Sequence, residues 1–179
     1  MPNAYESGAQ KAVPAVLVYA FDGDKVLLIH RVPPEWAAKG RESDYHLGKW
    51  NGLGGKLEPG ESPLEAARRE LEEESGLSLP LDRFRPLGVL QFPDFKAHKK
   101  EDWIVFVFRA EVRREEASRV LPEVEEGKLH WVAPERVREL PFWAGDRHFL
   151  PHVFEPKPFI GTIWYQGQDV VKHWIHCEK

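Results

Sequence analysis

Apolar residues along this chain fall into short runs, and only one segment spaces them at helical intervals. Ala12 to Ala20 (AVPAVLVYA) and Lys25 to His30 (KVLLIH) are rich in aliphatic residues, and Asp22-Gly23-Asp24 separates them, which predicts a β-hairpin. Further runs predict strands at Pro86 to Phe92, Trp103 to Val112 and Lys128 to Val132. The WIVFVF stretch from Trp103 to Phe108 has no polar face, so it predicts a central strand covered on both sides. From Pro63 to Ser75 the pattern changes: at about 100° per residue, Leu64, Ala67 and Leu71 share one stripe. Ser62 with Glu65 three positions on forms a capping box, Pro63 takes the first helical position, and Gly76 supplies the stop. Shorter helices are predicted from Pro134 to Leu140 and from Gly145 to Phe154, the second interrupted by Pro151. Residues 32–48, with Pro33-Pro34 and Gly40, read as a polar surface loop. This strand-rich order with interspersed helices predicts an α/β fold, a mixed sheet packed between helices.

The 179 residues, 42% hydrophobic and 30% charged, suffice for one globular core, so residues 1–179 are expected to form a single domain. A formal charge of −4 argues against a nucleic-acid polymer as partner, and any phosphate must be met by local cations or metal. The start MPNAYESGAQK lacks a secretory pattern and no run approaches a membrane span, so a cytoplasmic protein without a membrane partner is expected. The lone Cys177 fits a reducing compartment and reads as inert, while the seven Trp and ten Phe read first as core.

On the 63–75 helix, Glu70, Glu73 and Glu74 lie three and four residues apart on a stripe adjoining the apolar one. A Glu-rich helix is ordinarily a solvated face. Here Arg68 and Arg69 offer pairs worth only about 0.3–0.5 kcal/mol each at exposed positions, and three carboxylates remain uncompensated. Mg²⁺, which prefers oxygen ligands shared with substrate phosphates, supplies the missing charge. Upstream, Trp50-Asn-Gly-Leu-Gly-Gly55 lets backbone approach a ligand closely, and Lys56 follows as a compact cation able to reach a phosphate.

Together these residues resemble the Nudix box, G-x5-E-x7-R-E-U-x-E-E-x-G-U with U a bulky aliphatic. Gly55, Glu61, Arg69, Glu70, Leu71, Glu73, Glu74, Gly76 and Leu77 fill every specified position. The resemblance implies an α/β/α sandwich and Mg²⁺- or Mn²⁺-dependent hydrolysis of a nucleoside diphosphate linked to another group. It implies Glu70, Glu73, Glu74 and the Gly55 carbonyl as metal ligands, Arg69 as the residue holding the acids, and Glu61 as a brace between loop and helix. A further acid from outside the box is expected at Glu126, with Glu125 and Glu123 as competing choices.

The WNGLGGK segment from Trp50 to Lys56, Glu126 before His130-Trp131, the Leu140 to Asp146 segment and a terminal strand from Gly161 to Asp169 extend the likeness from about Val13 to Ile175. They are similar to the MutT-type subfamily that clears oxidised purine nucleoside triphosphates, the 8-oxo-dGTP diphosphatases. That likeness implies a purine held by Asn51, flanked by Phe92 and Trp143 and read by Asp146. A member of that subfamily carries two adjacent acids after the tryptophan, where this chain has Gly145-Asp146. Lys56 and Arg31 are expected to steady the outer phosphates. In-line attack by water then gives nucleoside monophosphate and pyrophosphate, with Glu73, Glu70 and Glu126 the candidates for general base. Two other readings stand beside this one: hydrolysis of nucleoside diphosphate sugars or dinucleoside polyphosphates, which the long loop from Pro33 to Leu47 permits, and a non-catalytic nucleotide-binding module.

Overall fold

A computed structural model describes residues 3–32, 35 and 46–178. Strand β1 (Lys11–Asp22) and β2 (Lys25–His30) form the expected hairpin, pairing Ala20 with Leu27 and Asp22 with Lys25. Towards their other ends the two strands part, and the Trp50 to Lys56 segment fills the gap. Its first residues, β3 (Trp50–Asn51), pair with the end of β2, while Leu53 and Lys56 bridge to Val18 and Ala15 of β1. The sheet continues with β4 (Phe84–Lys96), β5 (Glu101–Glu111), β6 (Glu123–Val124), β7 (Gly127–Val132), β8 (Phe159–Gln166) and β9 (Asp169–Cys177). The spatial order is β6-β7-β2-β1-β5-β4-β8-β9, with β3 beside β2. Pairs β1·β5 and β4·β8 are parallel and the others antiparallel, so the sheet is mixed as expected.

The α-helices set out among the described residues are α1 (Pro63–Ser75), α2 (Arg114–Ala117), α3 (Pro134–Val137) and α4 (Asp146–Phe154). Helix α1 has the boundaries read from sequence. Ser62 accepts from the Glu65 N–H, Glu65 accepts from the Ser62 N–H, and Gly76 closes the helix at φ 75°, in the left-handed region. Ala66, Ala67 and Leu71 pack against Val16, Val18, Leu53 and Phe108 on one sheet face. On the opposite face Phe149, Leu150 and Val153 of α4 pack against Tyr19, Leu28, Val105 and Val107. Strand β5 thus feeds both cores, Val105 and Val107 one way and Phe106 and Phe108 the other, as its apolar run requires. The result is an α/β/α sandwich.

Several local expectations are corrected. Helix α3 stops at Val137 rather than Leu140: from there the Glu139 and Leu140 N–H groups donate three residues back, to Arg136 and Val137, in turns rather than a continuing α-helix. Strand β4 runs to Lys96, beyond the expected Phe92, through an irregularity in which Phe92 pairs with Trp103 and Lys96 with Glu101. The terminal Gly161 to Asp169 strand is instead a hairpin: β8 turns at Gly167, φ 65°, and returns as β9. Of the polar loop, residues 33–34 and 36–45 lie outside the described residues. No helix among the described residues is long and apolar enough to cross a membrane.

Candidate active site

The wedge between β1 and β2 brings the glycine loop against α1. Gly54 donates its N–H to Glu74 Oε2 at 2.7 Å, and the Gly55 carbonyl accepts from the Val16 N–H at 2.8 Å. One lone pair of the Gly55 carbonyl is therefore spent on β1. A Cβ at residue 55 would lie 2.6 Å from the Glu70 carboxyl carbon, so this loop and that acid touch only because the residue is glycine.

Arg69 joins the acids. It clasps Glu61 through Nε and Nη2 at 2.8 and 2.9 Å, donates from Nη1 to Glu70 Oε1 at 2.8 Å and Glu73 Oε2 at 3.0 Å, and from Nη2 to the Lys56 carbonyl at 3.1 Å. Glu61 also accepts from the Glu58 N–H at 3.0 Å, which braces loop and helix. One guanidinium therefore fixes three carboxylates and the loop before the helix.

The three box acids differ in environment. The Glu73 side chain is 58% exposed and that of Glu70 only 12%. Burial pushes the Glu74 carboxyl up to about 8; the Gly54 N–H and Arg31 pull it down, and the charges of Glu70 and Glu126 add to the rise. Glu70 is also raised, first by burial, with Arg69 opposing and Glu73 and Glu61 adding. Hydrogen bonds from Arg69 hold Glu61 below the usual range. Glu126 sits half-buried in the turn between β6 and β7, and its charge reaches Glu74, whereas Glu123 and Glu125 are exposed.

Among the described residues no three His, Cys, Asp or Glu side chains form a group arranged to hold a metal. The chemistry of the donors nevertheless suits a hard divalent cation: Glu70, Glu73, Glu74 and Glu126 offer oxygen alone, and the buried pair Glu74 and Glu70 has its charge disfavoured by burial. Bound positive charge favours their anionic form.

Beside the acids lies a cavity of about 330 Å³. Arg31, Gly55 and Glu74 line it together with Asn51, Phe92, Trp143 and Asp146, so most of the residues singled out from sequence meet in one space. Asn51 Oδ1 accepts from the Gly52 N–H at 3.0 Å, so that oxygen shapes the loop. Trp143 donates Nε1–H to His46 Nδ1 at 3.1 Å and lies edge-to-face with Phe95 and Tyr165 at 6.0 and 6.1 Å. Asp146 opens α4 without capping it. Among the described residues its buried Oδ2 has no hydrogen-bond partner, and burial pushes its carboxyl up to about 7 against the Trp143 backbone and Lys49. The Tyr19 hydroxyl, fully buried and likewise without a partner among the described residues, is raised well above its ordinary value, first by burial and then by the Asp146 charge. Lys56 does not line the cavity; its Nζ stands 5.5 Å from the Trp103 ring. Arg31 Nη1 lies 3.9 Å from Glu74 Oε1.

Sequence reasoning missed Phe95, Lys96, Trp103 and Tyr165, which line the same cavity. Trp103 sits in a run read only as an apolar central strand and Tyr165 in a strand inferred by likeness to a family, and the irregularity that turns Phe95 and Lys96 inward has no periodic signature.

The NUDIX domain model matches residues 11–153. The chain is 34% identical over 131 residues to the oxidized purine nucleoside triphosphate hydrolase of Danio rerio, covering 73% of this chain and 79% of that protein. The Mus musculus protein of the same name is 30% identical over 131 residues with the same coverage. In structure, the MutT protein of Bacillus halodurans superposes with a TM-score of 0.72 at 28% identity, covering 91% of this chain and 97% of that one.

Proposed function

The chain belongs to the NUDIX family of hydrolases, and on that premise we propose that it is a divalent-metal-dependent pyrophosphohydrolase of purine nucleoside triphosphates, oxidised ones included. The products are nucleoside monophosphate and pyrophosphate. The observation that carries this reading is one cavity lined both by Glu74, Gly55 and Arg31 and by Phe92, Trp143, Asn51 and Asp146. A purine between the aromatic rings leaves its phosphates directed at the acids. The Danio rerio and Mus musculus relatives named for oxidised purine triphosphates support the substrate class.

Glu70, Glu73, Glu74 and Glu126 would hold Mg²⁺ or Mn²⁺, with the remaining lone pair of the Gly55 carbonyl. When bound, the ion neutralises phosphate charge and acidifies water. The chain's own residues do the rest. Arg69 keeps Glu70 and Glu73 oriented, and Glu61 ties that cluster to the loop. Glu73, the most exposed of the acids, has open access to a proton from the attacking water, with Glu70 and Glu126 as the other candidates for the base. Arg31 and Lys56 steady the outer phosphates. Asn51 and Asp146 meet the purine edge, and the unpartnered Asp146 Oδ2 supplies a polar atom that a base can satisfy.

A substrate panel with Mg²⁺ and product identification tests the proposal. Pyrophosphate from a purine triphosphate is the expected result. Sugar phosphate from a nucleoside diphosphate sugar, or cleavage of dinucleoside polyphosphates alone, would assign a different substrate, and turnover of nothing in the panel would leave a binding module.

A further inference from the structure

Residues 3–10 form turns rather than strand or helix, and among the described residues none of them belongs to either core. They reach the ligand cavity indirectly, through a bulge in β4. Between the pairs Phe92↔Trp103 and Lys96↔Glu101, three residues of β4, Pro93 to Phe95, face a single residue, Asp102, of β5. Asp94 takes φ 50° there, in the left-handed region that a side chain disfavours, so neighbouring groups must hold it. The buried Asp102 does so. Its Oδ1 accepts from the Asp94 N–H and from Gln10 Nε2, both at 2.8 Å, and its Oδ2 accepts from the Tyr5 hydroxyl at 2.6 Å. Gln10 Nε2 also donates to Asp94 Oδ1 at 2.8 Å, which closes a ring of bonds around the bulge. Burial pushes the Asp102 carboxyl up, but the bonds from Tyr5, the Asp94 N–H and Gln10 outweigh it and hold the group below its usual value.

What the bulge delivers is Phe95. Phe92 and Phe95 are three residues apart and would stand on opposite faces of an unbroken strand. Here both line the cavity, because the extra residues of the bulge turn the second ring back to the side of the first. The half-buried Phe95 then becomes the hub of the aromatic wall. Its ring centroid lies 5.7 Å from that of Phe92, and it meets Trp103, Trp143 and Tyr165 edge-to-face at 5.8, 6.0 and 5.8 Å. All five rings line the cavity, and Phe95 is the one whose place depends on the strained residue beside it.

We infer that Asp102, with Tyr5 and Gln10, is a positioning residue for base binding: it holds Phe95 at the centre of the aromatic wall, so the segment ahead of β1 sets how tightly the cavity takes a flat heteroaromatic base. This rests on the purine reading above and adds to it a control on affinity that lies outside the cavity.

The test is calorimetric binding of a purine nucleoside to the full chain, as wild type, Asp102→Ala, Asp102→Asn, Phe95→Ala and the double variant Asp102→Ala/Phe95→Ala. Asp102→Ala and Phe95→Ala should each weaken binding about threefold to tenfold, the worth of well-placed ring contacts. The double variant should bind no more weakly than Phe95→Ala, because both changes act through one ring. Asp102→Asn keeps an oxygen for the Asp94 N–H and should recover most of the loss. Where Asp102→Ala fails to fold, Tyr5→Phe, at an exposed side chain, takes its place in the same cycle with an expected loss of about twofold. Losses that add in the double variant would show that Asp102 acts elsewhere and overturn the inference. Unchanged binding in the Asp102 and Tyr5 variants, or a wild type that binds no purine nucleoside, would overturn it as well. A nucleoside has no phosphoanhydride to cleave, so the outcome is independent of the substrate panel. Coupling without hydrolysis of purine triphosphates leaves the clamp standing and the substrate reading failed, and hydrolysis without coupling does the reverse.

Discussion

Gly145 precedes α4 at φ −76° and ψ −25°, a conformation every L-residue adopts, so no dihedral demands glycine there. Space does. A Cβ would stand 3.0 Å from Ile163 Cγ2 and from Tyr165 Cζ, and closer still to Tyr165 Oη, the atom that accepts the Gly145 N–H at 2.8 Å. Gly145→Ala must therefore displace the phenol. Overpacking of this kind costs about 1–3 kcal/mol. Tyr165→Phe alone removes the oxygen and strands the Gly145 N–H, at about 1–3 kcal/mol. In the double variant the nearest obstructing atom is gone and that hydrogen bond is lost only once, so its destabilisation should fall short of the sum of the single costs by about 1 kcal/mol. Urea unfolding of the four proteins measures this, and KM for a purine triphosphate should follow the same coupling, since Tyr165 and Asp146 line one cavity. Strict additivity in both would refute the reasoning. The same crowding leaves no room for an acid at position 145 while Tyr165 is present, and Gly145→Asp should be worse than Gly145→Ala.

Asp146 has its folded pKa raised to about 7, so the folded state binds the extra proton; its contribution to stability is full below the unfolded value and is lost as pH rises through about 7. Asp146→Asn should remove that decline, which denaturant midpoints measured from pH 4 to pH 8, on the order of four units, would reveal as a flatter profile than the wild type. Arg69→Lys cannot reproduce the fork on Glu61 or reach Glu70 and Glu73 together; a stability loss of about 1–2 kcal/mol and a clear fall in kcat are expected from unfolding and steady-state kinetics. Gly55→Ala drives a methyl group into the Glu70 carboxylate, and a kcat reduced about tenfold or more with a folded circular dichroism spectrum is the expected outcome.

The parts of this molecule that a local rule governs were legible in the chain. Helix α1 follows from Ser62, Pro63, Glu65 and Gly76, because caps and proline act within a few residues. The central place of β5 follows from WIVFVF, because only a strand covered twice tolerates it. The cavity was half legible: Asn51, Phe92, Trp143 and Asp146 were named by likeness to a family, whereas Phe95, Lys96, Trp103 and Tyr165 depend on register and on one bulge. A bulge is fixed by partners far away in sequence, here Gln10, Asp94 and Asp102, and leaves no mark in hydrophobic period. The β8–β9 hairpin was read as one strand by likeness to a family, which passed over the polar Gln166 to Asp169 stretch where Gly167 takes positive φ and the chain turns.

The central claim is that the acids of α1 work through a divalent cation. Magnesium titration of the wild type and of Glu73→Gln, following thermal midpoint and pyrophosphate release from a purine triphosphate, tests it most directly. The account predicts that magnesium raises the wild-type midpoint and switches on turnover. Glu73→Gln should keep the metal-free midpoint while its turnover falls about a hundredfold or more. Wild-type midpoint and turnover indifferent to magnesium, or near-normal rates in Glu73→Gln, would contradict it.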